Sequence, residues 1–306
     1  MNKEEILKAI EEKYKKLDIP LETMLEGLLH SSPITYWDYI QTDALLGLQI
    51  PRTIEKDEMV FIMYHQVNEL LFKMILWELD QIALTKDAIT AEKFSKHLMR
   101  VSNYFDMLCN SFNVMQDGMD IDQYLKFRTA LTPASGFQSA QYRQIEFAST
   151  EIINLIDARY RATFDIDASL ENTYNHLYWQ AAGVNHETGE KSTLIKLFEK
   201  KYKKEFIDSI ENYKNCNLSK KFKELPKEVQ QSDKLIQAMR HYDYTVNIKW
   251  VMAHYDAAGK YLGGGDKDLE ATGGSNWRKY MHPKYQRRIF FPDLWSEEEL
   301  KNWGVF

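Results

Sequence analysis

Two of the eight histidines sit on stripes otherwise built for a core. In FIMYHQVNELLFKMILWELDQI, residues 61–82, His65 shares one helical face with Phe61, Phe72, Leu76 and Leu79. In YTVNIKWVMAHYDAAGKYL, His254 recurs at helical spacing with Val246, Trp250 and Ala257. A lone histidine on an apolar face is more often a satisfied core residue than a ligand. Two such histidines in a chain without metal-binding cysteine motifs point to chemistry instead. A buried neutral imidazole offers one acceptor nitrogen, which suits a metal.

Spacing separates the metal readings. HYD occurs at 241–243 and again at 254–256, and a His-x-Asp pair with a distant histidine is the ligand pattern of non-haem iron oxygenases. On a helix, i and i+2 point about 200° apart, so one helix does not aim both at one ion. Paired Glu-x-x-His motifs and HEXXH are both absent. A single axial histidine beside a large apolar pocket fits haem better, because the porphyrin supplies the other four ligands. The stretch YLKFRTALTPASGFQSAQYRQIE, 124–146, adds Tyr124 and Arg128, four apart on one helical face. A guanidinium beside an apolar pocket grips a carboxylate through two parallel hydrogen bonds; the plain alternative is a structural arginine paired with Glu or capping carbonyls. In ATGGSNW, 271–277, successive small residues let backbone N–H groups approach an anion. The GGG at 263–265 is no phosphate loop, since GxxxxGK[ST] is missing.

Helices must position these groups. Periodicity predicts them at about 3–16, 21–29, 36–49, 57–84, 91–115, 120–129, 137–159, 170–180, 192–213, 227–262 and 297–302, with no sustained period-two alternation. The expected fold is all-α, one large helical domain over 1–306 with a pocket between long helices. Ser135, in LTPASGF, is a candidate N-cap. Residues 196–224 are Lys-rich and read as a solvated appendage. The helices at 57–84 and 242–262 are apolar over more than one face, so they are buried all round or meet another subunit.

Composition narrows the function classes. The chain has 306 residues, is 44% hydrophobic and carries a net charge of −6. A weakly acidic chain does not suggest a nucleic-acid binder, since phosphate affinity comes from clustered Lys and Arg. Cys109 and Cys216 are far apart, which excludes a disulfide framework, a zinc ribbon and covalent haem attachment. The amphipathic, charged N-terminus lacks a signal's apolar core, and no run approaches a membrane span. A cytoplasmic location is expected.

At these residues the sequence resembles a family. FIMYHQVNELLFK is similar to the motif FI..HQ..ELWFK of the tryptophan 2,3-dioxygenases, and YLKFR…LTPASGFQSAQYRQIE to that family's central block. WVMAHYDAAGKYLGG, then ATGGSNW and FFPDLW, resembles its C-terminal signature, and YWDYIQTDALLGLQ its first motif. The resemblance implies an all-α homotetramer holding one haem b per subunit, ferrous in the active state. It implies opening of the indole ring of L-tryptophan with O2 to give N-formyl-L-kynurenine, in tryptophan degradation by the kynurenine pathway. By motif position, His254 is the axial haem ligand and His65 the distal residue that meets the indole N–H. Phe61 packs on the indole, Tyr124 and Arg128 hold the carboxylate, and Thr272 completes the clamp on the amino-acid end. Tyr36 and Tyr39 line the pocket from a neighbouring subunit. Departures are Leu71 for the motif tryptophan, Ala271, Asn276 and Trp277 in a loop that usually reads GTGGSSG, and a longer spacer before Thr272. Two rivals remain: a superfamily haem monooxygenase acting on a modified indole, and a helical interaction protein whose histidines merely fill the core.

Overall fold

In a computed structural model, residues 1–85, 88–184, 189–263 and 277–305 are described. Among them there is no strand, only isolated bridges between Ile156 and Leu177 and between Val184 and Lys191. The all-α expectation holds.

The chain divides into two compact units, residues 1–49 and 50–306. The first holds α1 (Lys3–Lys15), α2 (Leu21–His30), α3 (Tyr36–Ile40) and α4 (Thr42–Leu46). Asn2 and Glu5 form a capping box at the start of α1. The single helix expected over 36–49 is two, because Gln41 takes the left-handed conformation at φ 60°. No residue of this unit is buried.

The second unit is built on α5 (Asp57–Ala83) and α6 (Ala91–Gly118), followed by α7 (Ile121–Arg128) and α8 (Ala140–Ser149). Short helices α9 (Ala158–Arg161) and α10 (Leu170–Asn175) lead to α11 (Thr193–Tyr213), α12 (Leu218–Glu224) and α13 (Lys227–Gln230). Then come α14 (Asp233–Tyr244), α15 (Trp250–Leu262), α16 (Trp277–Met281), α17 (Pro283–Gln286) and α18 (Glu297–Lys301). A π turn, Thr245–Lys249, joins α14 to α15. The helix expected over 137–159 is broken. Ser135 caps a 3-10 turn at Gly136–Gln138, and α8 ends at Ser149 before a second 3-10 turn at Ile152–Leu155.

The core forms where apolar stripes meet. Helix α5 packs on α6 and α8, and Ile75, Leu79 and Ile82 interlock with Phe94, Leu98, Val101, Phe105 and Leu108. Each fully buried side chain of this kind contributes roughly 1.5–3 kcal/mol of transfer free energy. The Lys-rich stretch 196–224, expected to be an appendage, also feeds this core through Phe198, Phe206, Ile210, Leu218 and Phe222. Its lysines lie on the solvent side of amphipathic helices, so a high charge count masked a buried face.

Two polar anchors set the register of the helices that matter below. Asp57, at the start of α5, accepts from the Asp120 backbone N–H at 2.7 Å, and its own N–H donates to Gln123 Oε1 at 3.1 Å. These bonds lock the first turn of α7 beside the first turn of α5. Asp243, on α14, accepts from the backbone N–H groups of Phe290 and Phe291 and from Trp295 Nε1, which ties the C-terminal segment down.

Candidate active site

The second unit encloses a cavity of about 500 Å³, within the usual range for ligand pockets of about 300–1,000 Å³. Four of the residues singled out by sequence share its wall: Phe61, His65, Tyr124 and His254.

One turn of α5 separates Phe61 from His65, and their rings lie 4.2 Å apart. His65 Nδ1 is 2.8 Å from the Phe61 carbonyl oxygen. That oxygen can only accept, so Nδ1 carries the proton and Nε2 keeps a lone pair. Burial holds the His65 pKa below its ordinary value, against the opposing pull of the Phe61 carbonyl and of Glu69. The ring therefore presents a neutral acceptor to the cavity.

His254 comes from α15, one turn beyond Trp250. Phe112 of α6 stacks on its ring at 5.5 Å and 21°. Burial, with the His65 imidazole acting on it as well, pushes its pKa down to about 4. At neutral pH it is uncharged, and among the described residues it has no hydrogen-bond partner. A neutral imidazole with free ring nitrogens is a ready metal ligand.

Helix α7 brings Tyr124 to the wall, 6.1 Å from the Phe61 ring and 4.7 Å from that of Tyr261. Burial raises the Tyr124 pKa, while Arg128 opposes that shift by charge and by hydrogen bond, so the phenol is neutral. Arg128 itself, on the last turn of α7, is partly buried and is not among the wall residues. It reaches the cavity through Tyr124. Tyr36 and Tyr39 belong to the N-terminal unit and are exposed, at 72% and 74%. Thr272 lies outside the described residues.

Sequence reasoning missed the polar side of the wall. Arg143 and Arg288 both line it, and both turn to the single carboxylate of Glu146 behind it. Arg143 Nη1 also donates to the Tyr178 hydroxyl at 2.7 Å, and Arg288 bonds the hydroxyls of Tyr142 and Tyr178 and the amide of Asn247. Among the described residues, buried donors at the wall that include Trp250 Nε1, Trp179 Nε1 and Arg143 Nε have no partner. Glu69, one turn past His65, also reaches the wall, held by Gln141 Nε2 at 2.8 Å. Arg143, three residues before Glu146 and inside the singled-out 124–146 block, was legible as an ion pair at helical spacing. Arg288, 142 residues from Glu146, gave no such signal.

Among the described residues, no three His, Cys, Asp or Glu side chains converge as a metal site. His241 turns to Asp106 at 3.2 Å, and Asp256 is exposed. The arrangement suits a largely apolar ligand beside two neutral imidazoles, with acidic groups of that ligand received by the arginines.

The sequence pattern of the family described as Tryptophan 2,3-dioxygenase matches residues 26–257. The chain is 44% identical over 115 residues to the tryptophan 2,3-dioxygenase of Ruegeria sp., a stretch covering 37% of this chain and 40% of that protein. With the enzyme of the same name from Bradyrhizobium diazoefficiens, identity is 39% over 119 residues, or 38% of this chain and 42% of the relative. In both, the match spans only about two fifths of the relative's length. The likeness to the tryptophan 2,3-dioxygenase of Shewanella woodyi is more extended, 28% over 287 residues, covering 89% of this chain and 93% of the relative. The family match contains His65, Tyr124, Arg128 and His254, the residues whose helices build the cavity, and the chain belongs to the tryptophan 2,3-dioxygenase family.

Proposed function

We propose that this chain is a haem-dependent dioxygenase that converts L-tryptophan and O2 to N-formyl-L-kynurenine. The observation that carries the reading is the pair of neutral imidazoles, His65 and His254, on one apolar cavity wall, with Nε2 of His65 unprotonated. The wall suits haem b, one per subunit. His254 would supply a nitrogen ligand to its iron, and Trp250 Nε1 and Arg143 Nε, without partners among the described residues, are buried donors of the kind carboxylate groups need.

The chemistry supplied by a bound ferrous haem is O2 activation. The protein's residues supply placement. His65 Nε2 accepts the indole N–H, which fixes the ring's rotation. Phe61 covers one face of the indole. Tyr124, backed by Arg128, and Thr272 hold the carboxylate and amino groups. Phe72, Phe112 and Trp250 exclude water. Fixing both ends of the substrate converts a loose encounter into a near-attack geometry. Atoms balance without a further reductant: the C2=C3 bond breaks and each carbon keeps one oxygen of O2.

The proposed assembly is a homotetramer, with Tyr36 and Tyr39 of a neighbouring subunit completing the pocket. The support is the family and the exposure of both side chains. No helix among the described residues is long and apolar enough to cross a membrane. The proposed location is the cytoplasm, in keeping with two free cysteines.

The test is to mix the reduced, haem-loaded protein anaerobically with L-tryptophan, admit O2, and record product absorbance and mass. Gain of both oxygen atoms is expected. Gain of one would identify a monooxygenase, and no Soret band after haem is supplied would end the haem reading.

A further inference from the structure

Arg143 and Arg288 both line the cavity, yet they are held in different ways. Arg288 is braced on all three nitrogens. Its Nε donates to Asn247 Oδ1, Nη1 to Glu146 and the Tyr178 hydroxyl, and Nη2 to the Tyr142 hydroxyl at 2.5 Å. Arg143 is held by one nitrogen. Its hydrogen bonds to the described residues all leave from Nη1, to the two oxygens of Glu146 at 3.2 and 3.3 Å and to the Tyr178 hydroxyl at 2.7 Å. Arg143 Nε is buried and has no partner among the described residues, in a residue only 7% exposed.

The shape of the group fixes where its idle side faces. A guanidinium is planar, and its Nε–Nη2 edge lies directly opposite Nη1. Glu146 is not a wall residue and holds Nη1 from behind, so the idle edge turns away from Glu146 and toward the cavity that Arg143 lines. Aromatic rings steady the plane. Those of Phe137, Tyr142, Tyr178 and Trp179 lie 5.2, 5.5, 5.7 and 5.5 Å from the guanidinium carbon, and all four line the same cavity. An edge of this kind takes a carboxylate through two parallel hydrogen bonds.

Charge points the same way. Two buried guanidinium groups share the single carboxylate of Glu146. Burial pushes the Tyr178 phenol up to about 12 and raises that of Tyr142 as well, so both are neutral. Among the described residues in contact with this cluster, one positive charge is left over. A buried cation without a counter-charge is costly, and an anionic group at the open edge removes that cost.

We infer that Arg143 is the carboxylate receiver of the cavity, gripping one carboxylate of a bound ligand through Nε and Nη2, with Glu146 and Tyr178 as the residues that position it. The inference rests on the proposed function, whose two ligands, the haem and the amino acid, both carry carboxylates. Tyr124 and Arg128 already serve the amino acid in that reading, so a carboxylate of the macrocycle is the expected occupant.

The experiment uses the full chain, haem-free, as wild type, Arg143→Gln and Arg143→Lys. Each is titrated with ferric haem b and with its dimethyl ester, which has no free carboxylate, and dissociation constants are read from the Soret band. The wild type should bind the ester about ten- to a hundredfold more weakly than haem, the worth of charge-assisted hydrogen bonds. Arg143→Gln should narrow that ratio about tenfold by weakening haem while leaving the ester nearly unchanged. Arg143→Lys keeps the charge without the planar fork and should lie between. The haem-loaded, reduced proteins are then titrated anaerobically with L-tryptophan and tryptamine. A changed tryptamine-to-tryptophan ratio, with the haem-to-ester ratio unmoved, assigns the amino acid's carboxylate to Arg143 instead and still supports its receiving role. Equal weakening of haem and ester, with the tryptamine ratio unmoved, marks a merely structural arginine and overturns the inference. So does a folded Arg143→Gln that alters neither ratio, and either result leaves the haem reading intact. A wild type with no Soret band overturns both. If Arg143→Gln fails to fold, Arg143→Lys decides.

Discussion

Glu146→Ala is the substitution for which the structure gives the most definite energy. The Glu146 side chain is 1% exposed and pairs with two guanidinium groups, Arg143 at 9% and Arg288 at 4%. It accepts from Arg143 Nη1 at 3.2 Å, from Arg288 Nη1 and from the Tyr178 hydroxyl. Removing it leaves two buried positive charges without a counter-ion, a defect costing about 3–5 kcal/mol. That is a large share of the roughly 5–15 kcal/mol that holds a domain folded. Glu146→Gln keeps the shape and one acceptor, so the loss is smaller, about 1–3 kcal/mol. The double variant Glu146→Ala/Arg143→Ala should recover more than about 1 kcal/mol relative to additivity, since one orphaned charge goes with the carboxylate. Urea unfolding followed by far-ultraviolet circular dichroism measures all three, with the denaturant slope as a check on two-state behaviour. A Glu146→Ala protein within about 1 kcal/mol of wild type would refute the claim that these arginines depend on this carboxylate.

The other expectations can be checked on the same preparations. His254→Ala should lose the Soret band of bound haem, and a fully active, haem-loaded variant would contradict its assignment. His65→Ala should keep haem but bind L-tryptophan about tenfold more weakly, the value of one neutral hydrogen bond at the upper end; anaerobic titration reads it. Arg128→Ala should weaken tryptophan binding by about 1.5–3 kcal/mol, and tryptamine should then be hurt little by the same change. Gly183→Ala should destabilise markedly, because the added Cβ would fall 1.8 Å from Ile195 Cγ1; thermal unfolding measures the loss.

Long periodic helices were the most legible part of the fold. The apolar spacing of 57–84 marked α5 within a residue, and the capping chemistry of Ser135 was readable in LTPASGF. Breaks without proline or glycine were not readable. Nothing in the sequence around Gln41 or Thr150 signals an interruption, because tertiary hydrogen bonds such as Thr150 to the Phe290 carbonyl decide it. In the site, the histidines stood out because each violates an apolar stripe. Arg288 did not, because its partners lie on helices that only folding brings near, and long-range polar networks leave no periodic trace.

The π turn at Thr245–Lys249 carries a consequence for how one rod of helix serves two neighbours. Wide turns of this kind appear mostly as single-turn bulges inside α-helices, frequently at functional sites. Upstream of it, Asp243 looks toward the C-terminal segment; downstream, His254 looks into the cavity. Dropping one residue from this turn would rotate everything beyond it by about 100° relative to Asp243. With the tail still clamped, His254 would swing out of the chamber and Tyr255 would take its compass bearing. The rotational phase of the rod is therefore set by the number of residues in this turn as well as by their identity.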